Sequence, residues 1–355
     1  MVIKRKEEIP VNNDTGSSGP RYLFIVALIV ALLAIFAIIF AQYSLNHKQP
    51  LVCGDGTFYD SCSLVKPYFC SEGNLVEQAS VCGCVEGLTK TGESCVSNYQ
   101  AGEKDASFEY FLHGSEGEIS FPVYLGMSQY LHGVSRSNFY ADGEKPSRAD
   151  FKIKSLNEPE QMNLLLPFVE KIQDITTDKD DQVRIAISLV QNIPYGPSNR
   201  TVSFGEGVLN YSRYPYEVLY DQEGICGEKS ALLAFILKEM GYDVAFLYYA
   251  QENHEALGIR CPVEYSVDGT GYCFIETVGP SIITDDGLEY VGGIRLNSIP
   301  QVIPVSKGAA IDDWPEFKDA NKLASLRNGG IPFLRQWEIK KLEDKYNLVE
   351  KYHIV

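Results

Sequence analysis

Tyr214-Pro-Tyr-Glu-Val-Leu-Tyr-Asp-Gln-Glu-Gly-Ile-Cys226-Gly-Glu-Lys-Ser-Ala-Leu-Leu233 is the most informative run in the chain. It sets one cysteine after a glycine-bearing turn, at the start of a predicted helix. Leu232, Leu233, Ile236, Leu237 and Met240 recur at helical spacing. Gly241 follows where a C′ glycine ends a helix. A thiol at a helix N-terminus faces unpaired backbone N–H groups and the positive end of the helix dipole. Both favour thiolate, the form that attacks a carbonyl carbon. Position alone also fits a buried structural cysteine, so the downstream residues decide.

Asp243 to Tyr249 is apolar on both faces, as in a central strand. Asn253-His254-Glu-Ala-Leu-Gly-Ile-Arg260 places a histidine at the start of the next strand, and Tyr272-Cys-Phe-Ile-Glu276-Thr places a carboxylate on a third. In chain order these supply a nucleophile, a base and a group to orient the base. Glu276 lies among Phe274, Ile275 and Val278, where a carboxylate needs a partner, and an imidazolium is the obvious one. His47, His113, His132 and His353 lack such a setting and read as structural.

The run from Tyr214 through Cys226-Gly-Glu-Lys-Ser, then Gly241-Tyr-Asp-Val-Ala, then His254 and Phe274-Ile-Glu-Thr, resembles the transglutaminase-like superfamily, nearest its microbial and archaeal branch. The resemblance covers roughly residues 158–280. It implies an α+β, papain-like core with the cysteine at a helix N-terminus packed on an antiparallel sheet. It implies a triad of Cys226, His254 and Glu276, where the family more often has Asp as third member. Gln191 and Tyr195, just ahead of the catalytic loop, are weaker candidates for holding an oxyanion beside the Cys226 N–H.

The chain has 355 residues, 45% of them hydrophobic, and a formal net charge of −16. The length exceeds one ordinary domain, and the charge argues against nucleic-acid binding. Residues 1–20 form a polar, disordered cytoplasmic tail by composition. Residues 21–42 contain the uncharged run Tyr22 to Ala41, long enough for a transmembrane helix. Lys4, Arg5, Lys6 and Arg21 precede it, which puts the N-terminus in the cytoplasm and the rest outside. A cleaved signal peptide is the alternative.

Residues 43–100 make a disulfide-rich module with linker. Cys53, Cys62, Cys70, Cys82, Cys84 and Cys95 crowd a segment too small to bury a core, so three disulfides with open connectivity are expected. Zinc is the competing reading, weakened by the absence of a C-x-x-C pair or a nearby histidine. Residues 101–157 read as β-rich, with two or three strands over 108–130 and a polar loop over 133–150. Residues 158–300 are the catalytic domain, with helices starting at Pro159 and at Thr177–Asp178. Residues 301–355 are an extension ending in an amphipathic helix near 334–346. Sequons begin at Asn199 and Asn210.

Cys261 and Cys273 flank a hairpin-like Val267-Asp-Gly-Thr-Gly271 and are expected to pair, leaving Cys226 alone. The chain is thus read as a membrane-anchored extracellular thiol enzyme acting on amide bonds of proteins or peptides. It needs no cofactor or metal and passes the acyl group to water or an amine. The alternatives are a catalytically silent surface-binding module and a cell-envelope structural protein.

Overall fold

The computed structural model describes residues 19–46, 52–134, 145–204, 207–329, 332–349 and 351–353. Most of the polar tail, His47 and residues 135–144 of the polar loop lie outside them. The fold mixes helices with small antiparallel sheets and divides into two units, Met1–Gly83 and Cys84–Val355.

The first unit opens with α1 (Gly19–Asn46). Its stretch Tyr22–Gln42, 21 residues, is long and apolar enough to cross a membrane, a test that a signal sequence also passes. A hairpin of β1 (Tyr68–Ser71) and β2 (Asn74–Glu77) and a single helical turn, α2 (Ala79–Cys82), follow. Cys53–Cys70 and Cys62–Cys82 are disulfides. The buried apolar residues are Cys53, Cys70, Ala79 and Cys82, so sulfur fills most of the interior.

The second unit starts with β3 (Leu88–Thr91) and β4 (Ser94–Ser97), bridged by Cys84–Cys95. A long hairpin, β5 (Glu103–Leu112) and β6 (Ser115–Tyr124), runs directly into α3 (Leu125–Gly133). The strands expected up to residue 130 therefore stop at Tyr124. Met127 and Leu131, one helical turn apart, are both fully buried and hold the helical form. The polar loop expected up to Asp150 gives way to α4 (Arg148–Leu156), which Ser147 and Asp150 cap reciprocally.

Next come α5 (Pro159–Gln173), with proline at its first position, and α6 (Lys179–Asn192), whose first N–H groups the Asp178 carboxylate accepts. A small hairpin, β7 (Thr201–Phe204) and β8 (Gly207–Asn210), precedes α7 (Pro215–Asp221) and α8 (Cys226–Glu239). The first sequon meets β7 and the second begins on the last residue of β8.

Four antiparallel strands form the main sheet, in the order β11 (Tyr272–Ile275), β10 (His254–Arg260), β9 (Val244–Tyr249) and β12 (Gln301–Pro304). The chain ends with α9 (Pro315–Asn328), α10 (Pro332–Tyr346) and a short segment through His353. Every residue of α8 from Ala231 to Leu237 is buried. The sequence showed one apolar face of this helix; in the fold it is enclosed all round, as a central core helix is. Gly241 (φ +90°) terminates it and turns the chain into β9.

Candidate active site

Cys226 is the first residue of α8 and 6% exposed. It is the one cysteine outside a disulfide among the described residues. The turn before it is held from both sides. Gly224 and Tyr195 form a parallel bridge, with the Gly224 N–H donating to Pro194 O at 3.1 Å and the Gly196 N–H to Gly224 O at 3.3 Å. A Cβ on Gly224 would stand 3.1 Å from the Lys229 side chain, so glycine suits this close approach.

Arg213, 5% exposed, ties the turn with ion pairs to Asp221 (2.8 Å), Glu223 (2.9 Å) and Glu228 (3.0 Å). Glu228 also accepts the Ile225 N–H at 3.1 Å. Such a buried, fully paired arginine fixes geometry more than it adds stability. The Cys226 N–H donates to no protein group among the described residues, as expected for the first N–H of a helix.

His254 begins β10 and is fully buried. Its Nε2 lies 2.8 Å from Glu276 Oε2. Its Nδ1 has no hydrogen-bond partner by geometry among the described residues, although the Cys226 side chain is near enough to act on the ring. Burial alone lowers the His254 pKa. The Glu276 charge, the Cys226 side chain and the Glu276 hydrogen bond more than reverse this and push it up to about 10.

Glu276 follows β11 immediately and is fully buried. Its Oε1 accepts the N–H groups of Thr277 (2.7 Å) and Val278 (3.1 Å), and Tyr290 O–H donates to its Oε2. Burial raises the Glu276 pKa, but the His254 charge and hydrogen bond, with those of Tyr290 and Val278, hold it below the ordinary carboxylate range. The next residue locks the strand end to the cysteine. Thr277 O–H donates to Cys226 O at 3.3 Å and lies 3.1 Å from Ser230 Oγ. Cys261 and Cys273 are bridged by a disulfide across the β10–β11 pair that carries His254 and leads to Glu276.

The two oxyanion candidates occupy different places. Gln191 Nε2 donates to Glu276 O at 2.9 Å and to Ser281 Oγ at 3.2 Å, so its donors hold the Glu276 segment. Tyr195 O–H is buried without a partner among the described residues. Burial, then the nearness of Cys226 and Glu228, raises its pKa to about 12, keeping it a donor.

Several neighbours left little trace in the sequence. Tyr290 lies in an irregular segment with no periodicity. Lys229, fully buried one turn after Cys226, donates Nζ to the carbonyls of Gln191 (3.2 Å) and Ile193. Burial brings its pKa down to about 7 against the opposing charge of Glu276. The Tyr195 ring stacks on His353 at 5.3 Å between centroids. The α4 residues Arg148 and Lys152 reach the same groove as Cys226; the one readable signal for α4 was Ser147-x-x-Asp150, a capping pattern.

No family model matches the chain, and no curated protein does. Among solved structures, Legionella pneumophila LapG is 14% identical, over 46% of this chain and 84% of LapG, with a TM-score of 0.24. A structure described as a protease candidate from Parabacteroides distasonis ATCC 8503 is 16% identical, over 59% of this chain and 42% of the other, with a TM-score of 0.28. Calcium-bound LapG is 14% identical, over 49% and 86%, with a TM-score of 0.19.

Proposed function

We propose that the protein is a membrane-anchored cysteine peptidase or amidase of the transglutaminase-like, papain-like type, acting outside the cell through Cys226, His254 and Glu276. The observation that carries the reading is His254, a buried imidazole with Nε2 on an ionised Glu276 and a pKa raised by both Glu276 and Cys226. The remaining cysteines are in disulfides, which suits an oxidising compartment.

The proton of the Cys226–His254 pair sits on His254 as the sulfur attacks. Sulfur attacks the amide carbon, and the oxyanion forms toward the Cys226 N–H and Tyr195 O–H. The C–N bond breaks as His254 gives its proton to the leaving amine. Water then attacks the thioester, its proton passes to His254, and the carboxylic acid leaves with Cys226 regenerated. Glu276 holds the ring in its tautomer and balances its charge. Tyr290 and Gln191 position Glu276 through its carboxylate and its carbonyl. Water is the favoured acceptor because it needs no second binding site.

The test is a peptide-library digestion by the full chain in detergent, with Cys226→Ala as control. Cleavage that disappears in the variant supports the reading. Equal cleavage by both proteins removes it. For topology, protease added to intact cells should destroy the second unit, and survival of that unit until lysis reverses the orientation.

A further inference from the structure

Cys226 and Gly227 open into a groove of about 540 Å³ that Arg148, Lys152 and Lys154 of α4 also line. Arg148 and Lys152 are four residues apart and so share one helix face. Both converge on Glu255, the residue after His254, whose side chain is 1% exposed. Arg148 Nε and Nη2 donate to Glu255 Oε2 at 3.0 and 2.9 Å. Lys152 Nζ stands 2.6 Å from Glu255 Oε1 and donates to Gly227 O at 2.7 Å.

Two cations thus share one carboxylate, so the Arg148–Lys152–Glu255 trio carries one net positive charge. Glu228, the other carboxylate lining the groove, is held by Arg213, which it shares with Asp221 and Glu223. Arg148 is 39% exposed on its side chain, and its Nη1 makes no hydrogen bond among the described residues. Its guanidinium carbon stands over the Tyr248 ring, 3.7 Å from the centroid, a cation–π contact that helps hold the fork in place. A Cβ at Gly227 would lie 3.3 Å from Glu255 Oε1 and 3.4 Å from Lys152 Nζ. The charged cluster therefore begins one residue from the sulfur, within reach of a side chain flanking the bond under attack. This local positive charge sits in a chain of net charge −16.

We propose that this groove selects peptides bearing a carboxylate side chain, Asp or Glu, next to the bond that Cys226 attacks, with Arg148 and Lys152 as the specificity-determining residues. The proposal rests on the reading of Cys226 as nucleophile. An arginine's remaining N–H edge and a partly shielded ammonium suit a carboxylate, whereas the neutral amide of Asn or Gln gains much less from them.

The test separates this from the peptidase reading by using two probes that need no turnover. Cys226 in the full chain is alkylated with iodoacetate and with iodoacetamide, which differ by a carboxylate against an amide. Rates are normalised to a neutral small thiol. The normalised ratio should favour iodoacetate by about fivefold, the size of a partly screened charge contact. Because the His254 cation also attracts an anion, the variants decide. Arg148→Gln should bring the ratio down severalfold, Arg148→Lys should keep most of it, and raising salt to about 0.5 M should shrink it.

A ratio unchanged in folded Arg148→Gln overturns the proposal. Should that variant fail to fold, a wild-type ratio insensitive to salt does the same. Paired peptides differing only as Glu against Gln give the second arm. Equal cleavage of both overturns the proposal and leaves the peptidase reading standing. Alkylation that follows the charge preference with no peptide cleaved overturns the peptidase reading and, with it, the peptide selectivity. Absence of labelling by either reagent overturns both.

Discussion

The disulfide-stapled segment and the unit around α8 solve the same problem by opposite means. From Cys53 to Cys95, three disulfides stand where a core is missing, and the buried apolar residues of the first unit are mostly the bridged sulfurs themselves. Around α8, one continuous cluster runs from Phe108 through Phe168, Leu233 and Ile259 to Trp314 and Phe317. There the fold is held by packing, at about 25 cal/mol per Å² of apolar area removed from water, and a cysteine is released from structural duty. The difference teaches what each cysteine is for. Where burial is scarce, sulfur holds the chain; where burial is ample, one disulfide, Cys261–Cys273, spans β10 and β11, and the unpaired Cys226 stands at a helix end with His254 beside it.

Exchanging the roles breaks the comparison most sharply. Cys226→Ala should lower peptide turnover by about a thousandfold or more and leave the melting temperature nearly unchanged, because the α8 core does not depend on that sulfur. Calorimetry beside a turnover assay checks both halves. A large loss of stability would make Cys226 structural.

Reduction probes the other side. Cys53–Cys70 and Cys62–Cys82 span 17 and 20 residues, so each contributes about 3 kcal/mol by closing a loop in the unfolded chain. Strong reductant should therefore expose the amides of β1 and β2 to hydrogen exchange while those of α8 and β9 stay protected. Simultaneous loss in both regions would mean that the two do not differ as argued.

A smaller effect tests how the α8 unit positions its chemistry. Tyr290→Phe removes the O–H that Glu276 accepts, at about 1 kcal/mol for a buried hydrogen bond. The variant should fold and lose about tenfold in kcat/KM, with KM little changed. Unchanged kcat would remove Tyr290 from the arrangement.

The gentlest probe is pH. The folded pKa of His254, about 10, exceeds its ordinary 6.5. Its contribution to stability is therefore complete below pH 6.5 and is lost as pH rises through about 10. Glu276 is depressed below its ordinary 4.5, so its contribution is complete above that pH and is lost as pH falls through its lower folded value. The α8 unit should show a stability plateau between these limits, and His254→Gln should remove the alkaline decline. An alkaline limb identical in the variant would contradict the ion pair.

Much of the site's layout was legible because its signals are local. The thiol at a helix start, the Gly241 stop, the histidine at a strand start and the carboxylate among apolar neighbours each fall within a short window. What escaped depends on tertiary approach. Tyr290 reaches Glu276 from an irregular segment with no period. Lys229 reads as a polar residue on a helix face until the whole of α8 is seen to be enclosed. Arg148 and Lys152 lie on α4, in and beside what read as a polar loop, and only the fold carries them to Cys226. The α3 helix was misread as strand because Phe121, Val123 and Tyr124 lead into it without a turn residue.

The most direct measurement is a titration of the native chain, without reductant, by a thiol alkylating agent, with residual peptide turnover and the site of modification followed together. The account predicts one equivalent of label per chain, all of it on Cys226, with turnover falling in proportion to zero. Label on Cys261 or Cys273, or turnover that survives complete alkylation of Cys226, would contradict it.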